Sequence, residues 1–123
     1  MQIVEYTPSS CEQDLLLYID KTDLLRLEQV FGGQTIYIAA KPKEELIEAV
    51  GIETANTLTE VYKTTYLYIP KVLLRFIRNR EIHQEIISGS SIHDLAAKFK
   101  LKTPAIKAML VKYYGYKTGN SSK

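Results

Sequence analysis

The sequence predicts a mainly α-helical protein with a short β-ribbon, in which an N-terminal module of repeated helix and strand precedes a C-terminal helix-turn-helix. Three observations predict it. Residues 27–38, LEQVFGGQTIYI, align without gaps on residues 58–69, LTEVYKTTYLYI. Charge is divided along the chain, since residues 1–70 carry 5 Lys+Arg against 11 Asp+Glu whereas residues 71–123 carry 11 against 3. Between residues 92 and 114, apolar residues, caps and a proline recur at the spacing of two short crossing helices.

A chain of 123 residues has room for one ordinary domain or two small ones. The expected division is a helix-strand repeat over 1–70, a basic part with the helix-turn-helix over 71–114, and a flexible tail over 115–123, where GYKTGNSSK offers little to bury. Hydrophobic residues at 46% and charged ones at 24% are globular values. No apolar run approaches the roughly 20 residues that span a bilayer, and MQIVEYTPSSCEQD lacks a secretory signal's basic start and apolar core. A cytoplasmic protein without membrane contact is expected. The single Cys11 excludes an internal disulfide and a multi-cysteine metal site, and two histidines, His83 and His93, argue against zinc. No cofactor is expected.

A first helix is expected from about Ser10 to Ile19, and another from Lys43 to Val50, opened by Pro42 in its first turn. The repeated helices fall near 23–31 and 53–62. In each, Leu27 or Leu58, Val30 or Val61, and Phe31 or Tyr62 form one apolar face. Gly32 and Gly33 stop the first of them, glycine accepting the left-handed conformation of a C-terminal cap. The strands at Ile36-Tyr37-Ile38 and Leu67-Tyr68-Ile69 cannot stand alone in water, so they pair with each other or with a second chain. These six residues are the candidate dimer interface. The alternative is a pseudo-symmetric monomer in which the two copies satisfy each other.

After Pro70 the chain turns basic. KVLLRFIRNREIHQEIIS reads as helix throughout, Asn79 being where a break would fall, and Gly89 ends it. Ser91 then caps a helix beginning at Ile92, with Asp94 three residues on. In a helix-turn-helix starting at Ile92, the inward positions are Leu95, Phe99, Leu101, Ile106 and Met109, and the small residue at the crossing is Ala96. Thr103 can cap the second helix with its hydroxyl, and Pro104 lies in its first turn. Lys100 occupies the turn position where glycine is common, at a modest strain.

With Ile106, Met109, Leu110 and Tyr113 inward, the outward face of the second helix is Ala105, Lys107, Ala108, Val111 and Lys112, with Lys102 and Thr103 at its N-terminal end. Lys107 can donate to guanine O6 or N7. Thr103 can bond a base or phosphate, and Ala105, Ala108 and Val111 can touch thymine methyls. Lys102 completes the base-contact set. Arg75, Arg78, Arg80, Lys98, Lys100 and Lys112 are the candidates for phosphates, which position a protein without specifying sequence.

The order of Phe31-Gly32-Gly33 with Ile36-Tyr37-Ile38, Tyr68-Ile69-Pro70-Lys71, Arg78-Asn79-Arg80-Glu81-Ile82 and Leu95-Ala96 resembles the Mor/C family of phage middle- and late-operon transcription activators. The resemblance covers roughly residues 24–113. It implies a dimeric activator whose N-terminal module dimerises and whose C-terminal domain binds an inverted repeat in double-stranded DNA and recruits RNA polymerase. Lys63-Thr64-Thr65 and Ala39-Ala40 depart from the family's Gly-Gly and Pro-Lys.

Other chemistries find less support. Gly32-Gly33 precedes a strand, without the Lys-Ser or Lys-Thr helix of a phosphate loop. Cys11 has no tie in sequence order to either histidine. A strand-transfer site of Arg78, Arg80, His83 and Tyr113 or Tyr114 would need a longer catalytic domain. The chain is therefore not expected to be an enzyme. The competing reading is a protein-interaction module with a basic face.

Overall fold

The computed structural model describes residues 4–116, and its elements in order are α1 (Ser10–Leu15), α2 (Lys21–Phe31), β1 (Thr35–Ile38), α3 (Glu44–Val50), α4 (Ile52–Tyr62), β2 (Thr65–Tyr68), α5 (Val72–Ile87), α6 (Ile92–Phe99) and α7 (Thr103–Tyr114). Mainly helical with one short antiparallel ribbon, the chain forms two compact units. One is Thr7–Arg75; the other joins residues 4–6 to residues 76–116. No helix among the described residues is long and apolar enough to cross a membrane.

The first unit opens with α1, capped reciprocally: the Glu12 N–H donates to Ser9 Oγ at 3.3 Å and the Ser9 N–H to Glu12 Oε1 at 3.0 Å. It ends at Leu15, four residues before the expected Ile19, which is nevertheless buried. Asp20 caps α2. Pro42 precedes Lys43, the N-cap of α3, so it lies just outside the helix rather than in its first turn. Gly51, at φ +87°, joins α3 to α4.

The repeat is visible in what each copy buries. Leu24, Leu27 and Glu28 on α2 correspond at a spacing of 31 to Ala55, Leu58 and Thr59 on α4, and all six are buried. Val30 and Val61 are 52% and 40% exposed, contrary to the expected face. At about 100° per residue, a face centred between Leu24 and Phe31 leaves Val30 turned away. A carboxylate, Glu28, occupies the inward position instead.

β1 and β2 pair with each other, antiparallel, with Thr35 opposite Tyr68, Ile36 opposite Leu67, Tyr37 opposite Tyr66 and Ile38 opposite Thr65. Ile36 and Leu67 are also the equivalents in the repeat, so a local pseudo-twofold axis runs between them. The Gly33 N–H donates to the Ile69 carbonyl at 2.7 Å and the Ile69 N–H to the Gln34 carbonyl at 2.9 Å, prolonging the ladder past β2. Alternation along a strand puts Ile36, Ile38 and Leu67 on one face. Ile38 and Ile69, expected at an interface between chains, are 2% and 0% exposed and are buried within their own unit. The opposite face presents Tyr37, Tyr66 and Tyr68 to solvent.

The Gly-Gly turn has a steric origin. The Gln34 N–H donates to the Phe31 carbonyl at 2.9 Å across a turn in which Gly32 has φ −52° and Gly33 φ +81°. Only Gly33 is therefore left-handed. A Cβ on Gly33 would lie 2.5 Å from Lys71 Cε, and one on Gly32 3.0 Å from Lys71 Cγ and 2.5 Å from the Glu28 carbonyl oxygen. The second copy makes the same turn with Thr64 at φ +60°, a strained setting for a β-branched residue.

Two buried carboxylates close the N-terminus of α5. Glu12 Oε2 accepts from the Leu73 N–H at 2.8 Å and Glu28 Oε1 from the Leu74 N–H at 2.9 Å. These backbone donors have no partner inside the helix, and negative charge is favoured there. Burial, and then the hydrogen bond with Glu12, push the Glu28 carboxyl up to about 8, against the lowering pull of the Leu74 N–H. Glu28 Oε2 accepts no hydrogen bond. A proton on that oxygen turns it into a donor toward Glu12, which reconciles an unpartnered oxygen with a bonded pair. From this anchor α5 runs 16 residues and is continuous through Asn79, in line with the reading of helix throughout.

Candidate nucleic-acid interface

The C-terminal unit is built on the crossing of α6 and α7. Ser91 caps α6, its hydroxyl accepting from the Asp94 N–H at 3.1 Å. The helix stops at Lys100, whose φ of 58° and ψ of 44° are left-handed, and the Leu101 N–H returns to the Ala96 carbonyl at 2.9 Å. Lys102, with extended backbone, is the N-cap of α7 and makes no side-chain cap bond. This moves the cap one residue from Thr103, which becomes the first helical residue and leaves Pro104 in the first turn.

The interior is a cluster of Ile82, Leu95, Ile106, Met109 and Leu110, against which Ala96, Phe99 and Leu101 pack. All five residues expected inward on α6, the turn and α7 are therefore in or against this core, and Ala96 packs against it. Tyr113 is the correction: it is 41% exposed. Tyr114 takes the inward role, stacked on His83 of α5 with ring centroids 3.9 Å apart and planes at 17°. Burial pushes the Tyr114 phenol up, and Arg80 partly offsets this. Gly115, left-handed, turns the chain so that the Tyr116 N–H reaches the Leu110 carbonyl at 3.2 Å and its ring meets His83 edge-on. Gly115 and Tyr116 of the expected tail are thus held against the unit, and residues 117–123 lie outside the described residues.

Lys102, Ala105, Lys107, Ala108 and Val111 are exposed along α7 and its N-terminal end, and Thr103 is half-buried. From residue 95 to 116 there are five lysines and no Asp or Glu. Lys100, Lys102 and Lys107 have no ion-pair partner among the described residues, and Lys112 Nζ lies 5.1 Å from the Tyr113 ring centroid. A surface of donors and small apolar groups without acceptor charge suits the edges and phosphates of a duplex.

The flanking cations are more constrained than their spacing suggested. Arg78 is half-buried and donates from Nε and Nη2 to Asn79 Oδ1 at 3.3 and 3.1 Å. Arg80 extends over the Phe76 ring at 5.4 Å. Lys98 is bonded to Glu85 at 2.6 Å, a pairing across 13 residues that no local pattern announces. Arg75 is exposed in the other unit. No protein-family model, no curated protein and no solved structure matches the chain.

Proposed function

We propose that the chain is a sequence-specific double-stranded DNA-binding transcription regulator of the Mor/C kind, an activator from a phage or mobile element. In this reading α6 and α7 form a helix-turn-helix with α7 in the major groove. The observation that carries it is the outward face of α7: Lys107 between Ala105, Ala108 and Val111, exposed, with no carboxylate from residue 95 to 116. Lys107 reads a guanine, the small residues meet thymine methyls, and Lys100 and Lys112, with contacts drawn from Arg75, Arg78, Arg80 and Lys98, hold phosphates.

The regulator acts as a homodimer on an inverted repeat and presents RNA polymerase with a surface of its own. The ribbon's strands already pair within the chain, so a second copy approaches through exposed side chains such as Tyr37 and Tyr68 rather than by supplying the partner strand.

A gel shift with mixed genomic fragments over a salt series tests the reading. Sequence-selective retention is expected, with log K falling against log salt at a slope of about −7 to −11 for a dimer that makes roughly 4 to 6 phosphate contacts per subunit. No retention at low salt would favour the protein-interaction module.

A further inference from the structure

Helix α5 sends one carboxylate to the lysine row. Glu85 Oε2 lies 2.6 Å from Lys98 Nζ and ties α5 to α6, with side chains 33% and 59% exposed. The same ammonium is 5.6 Å from the centroid of the Phe99 ring, which packs on the core. Among the five lysines from 98 to 112, Lys98 is the one paired with a carboxylate of the described residues.

We propose that Glu85 is a built-in counterion that holds Lys98 away from the DNA backbone, and that a phosphate replaces it when the recognition helix seats. The proposal rests on the DNA-binding reading above. A carboxylate and a phosphate offer the same ammonium equivalent oxygen acceptors, and an exposed pair of this kind is weak enough to exchange. Before exchange, Lys98 contributes no net charge to a loose encounter with arbitrary sequence, and the Glu85 carboxylate repels an approaching backbone. Glu85 thereby suppresses sequence-independent binding while leaving the contacts of α7 untouched.

Binding of a fluorescein-labelled mixed-sequence duplex, followed by anisotropy across a KCl series, tests this with Glu85→Gln, Lys98→Ala and the double variant. Glu85→Gln is expected to bind roughly 3- to 10-fold more tightly at low salt, with a slope steeper by up to about one per chain. Lys98→Ala alone should change affinity by less than about twofold, and in the Glu85→Gln background it should abolish the gain. Unchanged or weaker binding by Glu85→Gln, at a parental thermal melt, overturns the proposal and leaves the DNA reading standing. A gain that survives Lys98→Ala also overturns it, because net charge alone would then be responsible. Should Glu85→Gln not fold, a marked loss for Lys98→Ala in the parent overturns it independently. Absence of salt-sensitive binding by the parent overturns both readings.

Discussion

Replacing Glu28 by glutamine removes one titrating member of a buried carboxylate pair. The introduced amide oxygen can still accept from the Leu74 N–H, and the amide nitrogen can donate to Glu12 where the parent uses a proton. In the parent, the folded-state value of about 8 against 4.5 means that between these limits the folded chain binds one more proton than the unfolded chain. Stability linked to Glu28 is therefore complete below about pH 4.5 and is lost as pH rises through about 8, at up to about 1.4 kcal/mol per pH unit. The shift sets a ceiling of about 5 kcal/mol on the whole window, a large share of a small unit's stability. Urea unfolding of both proteins at about pH 5 and about pH 8, at constant ionic strength, gives the difference for the Glu12–Glu28 pair, because the titrating groups outside the pair cancel. The parent should lose stability relative to Glu28→Gln on going from the lower to the higher pH. Parallel stability curves would refute the shared proton and leave the carboxylates as ordinary helix caps.

Three further outcomes are expected. Gly33→Ala should lower stability by about 1–2 kcal/mol, since it puts a Cβ on backbone at φ +81° while the mobile end of Lys71 can move aside, whereas Thr64→Gly should raise it by up to about 1 kcal/mol by relieving φ +60° at the equivalent turn; denaturant midpoints read both signs. Ala96→Leu should cost about 1–3 kcal/mol and loosen the α6–α7 crossing, seen as a lower melting temperature, because Ala96 packs against a filled core. Lys107→Ala should cost about 1–3 kcal/mol of affinity for the preferred site and relax selectivity at one base pair, measured by competition with single-substitution duplexes.

The interior of the C-terminal unit is legible in the sequence because α6 and α7 are short, capped at recognisable residues and amphipathic in a single register. Leu95, Phe99, Leu101, Ile106 and Met109 can all be placed by spacing alone. Legibility fails where a third element decides. Tyr114 rather than Tyr113 turns inward because His83 of α5 supplies the ring it stacks on, and nothing within α7 encodes that. Val30 and Val61 are misplaced by hydrophobicity alone, since the inward position on α2 belongs to Glu28. The Glu12–Glu28 pair brings together residues 16 apart and donors more than 40 residues further on, so no window contains the signal. On the candidate interface, spacing identifies exposed side chains well and their engagements poorly: the Glu85 partner of Lys98 is invisible without α5 lying beside α6.

The pairing of β1 with β2 inside one chain makes ribbon formation a unimolecular event. A tether of 26 residues, most of them in α3 and α4, joins Ile38 to Thr65, so each strand meets the other at an effective concentration fixed by the linker rather than by the amount of protein in solution. Dilution cannot unzip it. Any dependence of the unit's melting temperature on protein concentration must then originate in contacts outside the ladder, and its midpoint extrapolated to infinite dilution measures what the ribbon and its covering helices sustain by themselves.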